Sequence, residues 1–135
     1  MQDRPSAIEL IRGIYNFLEK DLVPVLQEPL RFHARVAANL LKIIEREQEI
    51  ETRHLFNEAE RLSKLLSNLP PSANSHEGLR AEILKLNEEL CARIRNGDAD
   101  HDPRRREVKD HIRQTLIEKL EIANPRMITK AQTKH

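Results

Sequence analysis

Cysteine, glycine and aromatic residues are all scarce in this 135-residue sequence. The one cysteine, Cys91, has no second cysteine to pair with, which excludes an internal disulfide. A lone cysteine does not diagnose the compartment, and a reduced, cytoplasmic setting is the default expectation. With three glycines there is no glycine-rich phosphate loop. Three phenylalanines, one tyrosine and no tryptophan leave few rings for stacking on nucleic-acid bases.

Long apolar runs and a strong excess of one charge are also missing. No run approaches the ~20 apolar residues that a membrane helix needs, and the start, MQDRPSAIEL, holds no apolar signal-peptide segment. The formal net charge of +1 is too small for a general polyanion binder. We therefore expect a cytoplasmic chain that binds neither nucleic acid nor membrane.

Leucine (18 residues), isoleucine (12 residues) and charged residues (33%) make up most of the chain. Apolar residues recur at helical spacing, and no stretch alternates apolar and polar residues for long. The sequence predicts an all-α fold, an antiparallel helical bundle of about five helices. We expect residues 1–124 to form a single domain and residues 125–135 to form a loosely ordered tail.

Capping residues and prolines set the expected ends of these helices. Ser6 and Glu9 have the spacing of a capping box, and Pro70-Pro71 interrupts the chain between two helical stretches. Ser75 is a further expected cap, and Asn96-Gly97 a further expected stop. The predicted helices cover residues 6–22, 29–48, 53–68, 75–96 and 102–124.

The segment RFHARVAANLLKIIERE, residues 31–47, carries polar groups on its apolar face. On a helical wheel, His33 and Glu47 fall inside the apolar arc, while Arg35, Asn39 and Arg46 follow one edge. One interpretation is structural, with His33 and Glu47 bonded to a neighbouring helix. The other is functional, with His33, Arg35 and Asn39 lining a small pocket for an anion or for a partner's carboxylate.

Other chemistry-bearing patterns are incomplete. Glu51-x-x-His54 has the spacing of a di-iron motif, but such a site needs a second copy of that motif and two further glutamates. Arg104-Arg105-Arg106 is balanced by nearby acidic residues, which favours a solvated face. Cys91 lies beside Leu90 without a partner base. We expect no catalytic residue, no metal site and no cofactor.

Three segments resemble a known family: QDRPSAIEL at the start, FHARVAANLLKIIERE in the second helix and ANPR near the end. They are similar to the DUF6285 family of small bacterial helical proteins of unknown function. The resemblance covers most of the chain, whereas residues 50–110 match only loosely. Family genes tend to lie beside those of phosphotransferases resembling aminoglycoside kinases and of acyl-CoA dehydrogenases, so the resemblance implies a context rather than a mechanism.

The resemblance also marks residues that are typical of the family. It adds Arg4, which precedes the first helix, to the candidate site of His33, Arg35 and Asn39, on the expectation that antiparallel packing of the first two helices lets Arg4 and Arg35 approach each other. The full set is Asp3, Arg4, Pro5, Phe32, His33, Arg35, Asn39 and Asn124-Pro125.

Three functions remain open at this point. The first is a non-catalytic accessory protein that binds a neighbouring phosphotransferase-like or acyl-CoA dehydrogenase enzyme. The second is a bundle that binds an anionic or acyl ligand in a pocket near His33 and Arg35. The third is a metal-assisted helical enzyme. Homodimerisation is a further expectation, since aliphatic stripes of small bundles often extend across a two-fold axis.

Overall fold

The computed structural model describes residues 4–128, and these residues form helices with no strand among them. The predicted all-α bundle of about five helical segments is confirmed. Asp3, one of the family-typical residues, lies outside the described part of the chain. The segments are α1 (Ala7–Phe17), a π-helical extension of α1 (Leu18–Leu22), α2 (Leu30–Leu66), α3 (His76–Arg95) and α4 (Arg104–Ala123).

The first helix begins at the predicted capping box. The Ser6 hydroxyl accepts a hydrogen bond from the Glu9 backbone N–H (3.2 Å), and the Glu9 carboxylate accepts one from the Ser6 backbone N–H (2.7 Å). After Phe17 the helix widens, and the Val23 N–H donates to the Leu18 carbonyl at 2.9 Å. The helical run ends at Leu22, as the sequence predicts.

The stretch predicted as the second and third helices is one continuous helix of 37 residues, α2. The predicted break between residues 48 and 53 is wrong, because the intervening QEIET contains neither proline nor glycine to interrupt the backbone hydrogen bonds. At about 1.5 Å per residue, α2 is roughly 55 Å long. Its two halves therefore have different packing partners.

Along its first half, α2 packs antiparallel to α1. The Arg12 Nε atom donates to Glu45 Oε1 at 2.7 Å, and the Lys42 Nζ atom donates to Glu19 Oε1 at 2.6 Å. Residues later in α1 and its extension therefore contact residues earlier in α2, which is the pattern of antiparallel helices. We call α1, its π-helical extension and residues 30–46 of α2 the N-terminal hairpin.

The second half of α2 packs against both α3 and α4. α4 is antiparallel to α2, since Arg104 at its start donates to the Leu65 carbonyl and Ile122 near its end accepts from Arg46. α3 runs in the same direction as α2, with His76 beside Glu51 at its start and Arg93 donating to the Leu66 carbonyl at its end, so the predicted antiparallel packing is wrong for this pair. The buried core lies between these three helices and consists of Ala59, Leu62, Leu65, Leu66, Leu79, Ile83, Leu86, Leu90 and Val108.

The predicted cap and stop of α3 are present. The Ser75 hydroxyl accepts from the Gly78 N–H at 3.0 Å. After α3, Gly97 takes a φ of 93°, a left-handed conformation that glycine adopts without strain. Ser75 and Gly97 therefore mark the two ends of α3.

The chain after α4 turns back towards α2. The Met127 N–H donates to the Asn124 carbonyl at 3.0 Å, and the Ile128 N–H donates to the Pro125 carbonyl at 3.2 Å. Residues 129–135, most of the predicted tail, lie outside the described residues, and the predicted domain boundary at 124 stays a prediction. Within residues 4–128, no helix combines the length and the apolar character that a membrane crossing requires.

Candidate functional site

A cavity of about 650 Å³ lies where three parts of the chain meet. The first half of α2 forms its floor, the π-helical extension of α1 forms one wall, and the end of α4 with the turn after it forms the other. We call it the basic pocket. Its lining residues are Glu19, Val23, Arg35, Asn39, Lys42, Arg46, Ala123, Asn124, Pro125, Arg126 and Met127.

One stripe of α2 supplies most of the polar groups in the basic pocket. Arg35, Asn39, Lys42 and Arg46 follow one another at steps of four, three and four residues, so they share a face of the helix. Arg126, after α4, faces them from the opposite wall. The spacing of residues along α2 thus places these donors on one face. The opposite wall of the pocket exists only because residues 123–127 pack near that face.

The basic pocket has an excess of positive charge. Four cationic side chains and one carboxylate line it. The carboxylate, Glu19, is paired with Lys42 through both of its oxygens, at 2.6 and 2.7 Å from Lys42 Nζ. Lys42 Nζ also lies over the Tyr15 ring, 5.2 Å from its centroid. Among the described residues, the remaining cations have no acidic neighbour in the lining, so the net charge of the lining is positive.

The arginines of the basic pocket divide into a structural one and two exposed ones. The Arg46 Nε atom donates to the Ile122 carbonyl at 2.6 Å, which fixes the end of α4 against α2. Arg35 and Arg126 are exposed, and no ion pair among residues 4–128 involves either of them. Their guanidinium donors are therefore available to a carboxylate or phosphate group.

Of the predicted site residues, Arg35 and Asn39 lie together in the basic pocket. His33 does not line it. Two residues before Arg35, it points about 200° away around the helix, and its exposed ring lies 6.0 Å from the Phe32 ring. The structure gives His33 no role in holding an anion there.

Arg4 also lies away from the basic pocket. Its side chain is 86% exposed and approaches the Glu9 carboxylate at 3.8 Å. Because α1 is antiparallel to α2 with Arg12 beside Glu45, the start of α1 lies at the opposite end of the N-terminal hairpin from Arg35. The expected approach of Arg4 to Arg35 is therefore wrong.

Sequence reasoning missed three lining residues that matter for charge: Glu19, Lys42 and Arg126. Lys42 lies seven residues after Arg35, and that helical spacing was a usable signal. Arg126 belongs to the family-like ANPR segment, but nothing in the sequence places that segment against α2. Glu19 joins the pocket through the packing of α1 on α2.

A second cavity, of about 600 Å³, differs from the basic pocket in that its arginines are engaged. Arg61 donates to the Glu118 carboxylate at 2.6 and 2.8 Å, and Arg104 donates to the Leu65 carbonyl and to Glu107. Those contacts hold α4 on α2. This cavity is therefore a by-product of helix packing rather than a second candidate site.

The Glu51-x-x-His54 motif does not assemble a metal site. Glu51 faces α3, where it pairs with His76 (2.8 Å) and Arg80. His54 faces α4, with its Nε2 atom 2.8 Å from a Glu121 oxygen. Among residues 4–128, no group of three or more histidine, cysteine or acidic side chains is placed to hold a metal ion.

The fold and the pocket define an all-α bundle with a predominantly cationic cavity beside a helical hairpin. The model of a family described as a domain of unknown function, DUF6285, matches residues 24–127. The chain belongs to that family, as its resemblance predicts. Neither the curated proteins nor the solved structures searched contain a match to this chain.

Proposed function

We infer that this protein binds a small anionic ligand, and that the basic pocket holds the ligand's carboxylate or phosphate group. One observation carries this proposal: Arg35, Asn39, Lys42 and Arg46 form one stripe on α2, and Arg126 faces it across a cavity of about 650 Å³. Sites for small ligands commonly have volumes of about 300–1,000 Å³.

The chemistry of the lining supports an anion with an attached body. Arg35 and Arg126 each offer two parallel N–H donors, which match the paired oxygens of a carboxylate or phosphate. The Asn39 amide adds a donor and an acceptor for orientation. Val23 and Met127 line the same cavity and provide an apolar wall for an acyl or alkyl group.

A thermal-shift screen with inorganic phosphate, short-chain carboxylates and acetyl-CoA tests this proposal. A ligand present at 100 times its Kd should stabilise the fold by about 2.7 kcal/mol. The Arg35→Ala variant should lose this stabilisation while keeping its helical circular dichroism. The matched control is Arg53→Ala, because Arg53 is an exposed arginine about five turns further along the same face of α2 and outside the pocket. Equal ligand-induced stabilisation of the Arg35→Ala and Arg53→Ala variants would refute ligand binding in the basic pocket.

The second candidate is a non-catalytic accessory protein whose basic pocket takes an acidic side chain of a partner enzyme. It is favoured by the exposure of Arg35 and Arg126, which a protein surface can reach as readily as a small molecule. The family context points to a phosphotransferase-like or acyl-CoA dehydrogenase partner. Co-purification with each enzyme would test this role, and failure of both enzymes to change elution or activity would remove its support. The cytoplasmic location expected from the sequence belongs to either proposal and is open to cell fractionation.

A further inference from the structure

The N-terminal hairpin leaves a large apolar surface uncovered. α1 contains no buried residue. Three of its large apolar side chains, Leu10, Ile14 and Phe17, are 47%, 51% and 52% exposed. Steps of four and three residues put them in one stripe along the helix. The side of α1 that contacts α2 is a different one, formed by half-buried residues such as Ile11 and Tyr15.

The first half of α2 carries a second exposed stripe. Its members follow one another at every fourth position and are 41–58% exposed. Large apolar side chains at such regular spacing on a helix are typical of a face that packs against another helix. The residues of this stripe are Phe32, Val36, Leu40 and Ile44.

The same face of α2 is buried further along the helix. Ile44 and Leu62 are about five turns apart and point in the same direction. Leu62 is 0% exposed because it joins the core formed with α3 and α4, whereas Ile44 is 41% exposed. The row of apolar side chains on this side of α2 thus extends beyond the part of α2 that α3 and α4 cover.

The two exposed stripes lie on the same side of the N-terminal hairpin. Its ion pairs, Arg12 with Glu45 and Lys42 with Glu19, occupy one flank of the contact between α1 and α2. On a helical wheel of each helix, the exposed stripe of α1 and the part of the α2 stripe at Leu40 and Ile44 fall on the other flank, and the α2 stripe turns at Phe32 onto the side of α2 that faces away from α1. The hairpin therefore has one charged side and one continuous apolar side.

The size of this apolar side matches what a stable dimer needs. Seven side chains with about half of their surface exposed amount to on the order of 700 Å², compared with about 300–600 Å² for the largest patch of a typical monomer and about 800 Å² per partner in a standard interface. We propose that a second copy of this chain covers it, so that two hairpins form a four-helix bundle. We call the seven residues Leu10, Ile14, Phe17, Phe32, Val36, Leu40 and Ile44 the apolar face.

The order of residues on α2 is self-complementary about Leu40. Val36 and Ile44 lie one turn before and after it, and His33 and Glu47 lie two turns before and after it. A two-fold axis at Leu40 therefore pairs Val36 of each copy with Ile44 of the other. It also brings His33 opposite Glu47 of the second copy, which explains why two polar residues stand at the ends of an apolar stripe.

This association leaves the basic pocket open. Arg35 lies on the charged flank of the N-terminal hairpin, on the far side of α2 from Leu40. The dimer therefore does not rest on the anion-binding proposal, and the two can fail separately. An Arg35→Ala chain should still dimerise, and a chain made monomeric at Leu40 should keep the pocket.

Sedimentation equilibrium of the full chain tests the dimer. We expect a mass twice the chain mass of 15.8 kDa at micromolar concentration. The Leu40→Glu variant should be monomeric at concentrations where the parent protein is dimeric. The control is Leu116→Glu on α4, where the leucine is 56% exposed but outside the apolar face. A parent protein that stays monomeric up to millimolar concentration would overturn the proposal, even if it captured a different protein on this face.

Disulfide trapping tests the same geometry without relying on the fold of a charged variant. In a Cys91→Ser background, which removes the exposed native thiol, Leu40→Cys should form a covalent dimer under mild oxidation because the two-fold axis brings both copies of residue 40 together. Leu116→Cys should not. Equal trapping at both positions would contradict the proposed interface.

A charge exchange tests the two-fold register. His33→Glu should weaken the dimer severalfold because it places two carboxylates opposite each other, and Glu47→Arg should weaken it because it removes the carboxylate that faces the His33 ring. The double variant should restore dimerisation to near the parent level. Additive weakening in the double variant would contradict the register, and with it this two-fold dimer.

Discussion

Arg61 of α2 donates hydrogen bonds to both carboxylate oxygens of Glu118 of α4, at 2.8 and 2.6 Å. The Glu118 side chain is only 8% exposed, and the same guanidinium reaches the Thr115 hydroxyl at 3.3 Å. This ion pair is the main polar contact that fixes α4 on the second half of α2. Its geometry is bidentate, the arrangement in which an arginine–carboxylate pair is strongest.

Removing one partner of this pair should destabilise the fold. Glu118→Ala leaves the partly buried Arg61 without its carboxylate, and we expect a loss of about 2–3 kcal/mol in the free energy of unfolding. Urea denaturation would measure it. The control is Glu107→Ala, because Glu107 is 52% exposed and its pair with Arg104 is a surface contact worth at most about 1 kcal/mol. Equal losses in the two variants would contradict the role assigned to Arg61 and Glu118.

The same pair predicts a loss of stability in acid. Burial acts to raise the pKa of Glu118, but the hydrogen bond and charge of Arg61, together with a hydrogen bond from Gln114, lower that pKa below its ordinary value of 4.5. The stabilisation is therefore present above about pH 4.5 and is lost as the pH falls through the lowered pKa. Glu118→Gln should flatten the pH dependence of the unfolding free energy in this range. An unchanged slope would show that other carboxylates cause the acid loss.

His111 predicts a second pH effect, at higher pH. Burial and the nearby charge of Arg61 lower its pKa below 6.5, so folding disfavours the protonated form of this ring. The unfolded chain takes up a proton first, which means that stability declines as the pH falls below about 6.5. His111→Gln should remove this decline in thermal melts between pH 7 and pH 5, whereas the exposed His101→Gln should not. Identical behaviour of the two variants would refute the assignment.

The continuity of α2 predicts a large effect of proline at its middle. Thr52 is exposed, so Thr52→Pro removes little packing, but it breaks the helical hydrogen bonds between the two halves of α2. We expect a loss of about 3 kcal/mol or more in the free energy of unfolding. Thr52→Ala, the control, should be neutral or slightly stabilising. Near-native stability of the proline variant would indicate a break in the helix there.

The end of α2 predicts a stabilising substitution. Ser67 closes the helix with φ of 56° and ψ of 33°, a left-handed conformation that strains a side-chain-bearing residue. Ser67→Gly should therefore raise the free energy of unfolding by about 0.5–1 kcal/mol. The opposite change, Gly97→Ala at a φ of 93°, should lower it, because the new Cβ would also lie 3.1 Å from an Asp100 oxygen. Thermal melts of both variants check the signs.

The charge of the basic pocket predicts a gain in anion binding. Glu19 is the one carboxylate in its lining and holds Lys42 in an ion pair. Glu19→Gln removes a like charge from the approaching anion and releases Lys42, so affinity for an anion that binds there should increase severalfold. Calorimetric titration, with Glu49→Gln outside the pocket as the control, measures the change. Weaker binding in the Glu19 variant would contradict the proposed charge balance.

Local signals in the sequence predicted most of the helix ends. Ser6 with Glu9, Ser75, and Asn96-Gly97 each act within a few residues, and all three appear in the structure at the predicted positions. The one false break, between residues 48 and 53, has no helix-breaking residue behind it, since QEIET contains neither proline nor glycine. The packing partners of α2 change there, from α1 to α3 and α4, while the backbone hydrogen bonds continue.

The candidate site was predictable only in part. Arg35 and Asn39 are a helical step apart, so the sequence alone puts them on one face, and the basic pocket contains both. His33 was grouped with them because it belongs to the same helix, and Arg4 was added by the family resemblance. The helical angle takes His33 to the apolar side of α2, and the antiparallel direction of α1 takes Arg4 to the far end of the N-terminal hairpin.

The sequence by itself determined the helical class, the caps and the spacing of side chains along each helix, because these depend on hydrogen bonds and angles between residues close in the chain. The tertiary structure decided which stripes are covered and which groups meet across helices. Burial of Leu62, exposure of Ile44 and the arrival of Arg126 opposite Arg35 all depend on where α3 and α4 end along a helix roughly 55 Å long. Where α3 and α4 end relative to α2 depends on the packing of whole helices, so it cannot be inferred from any short stretch of sequence.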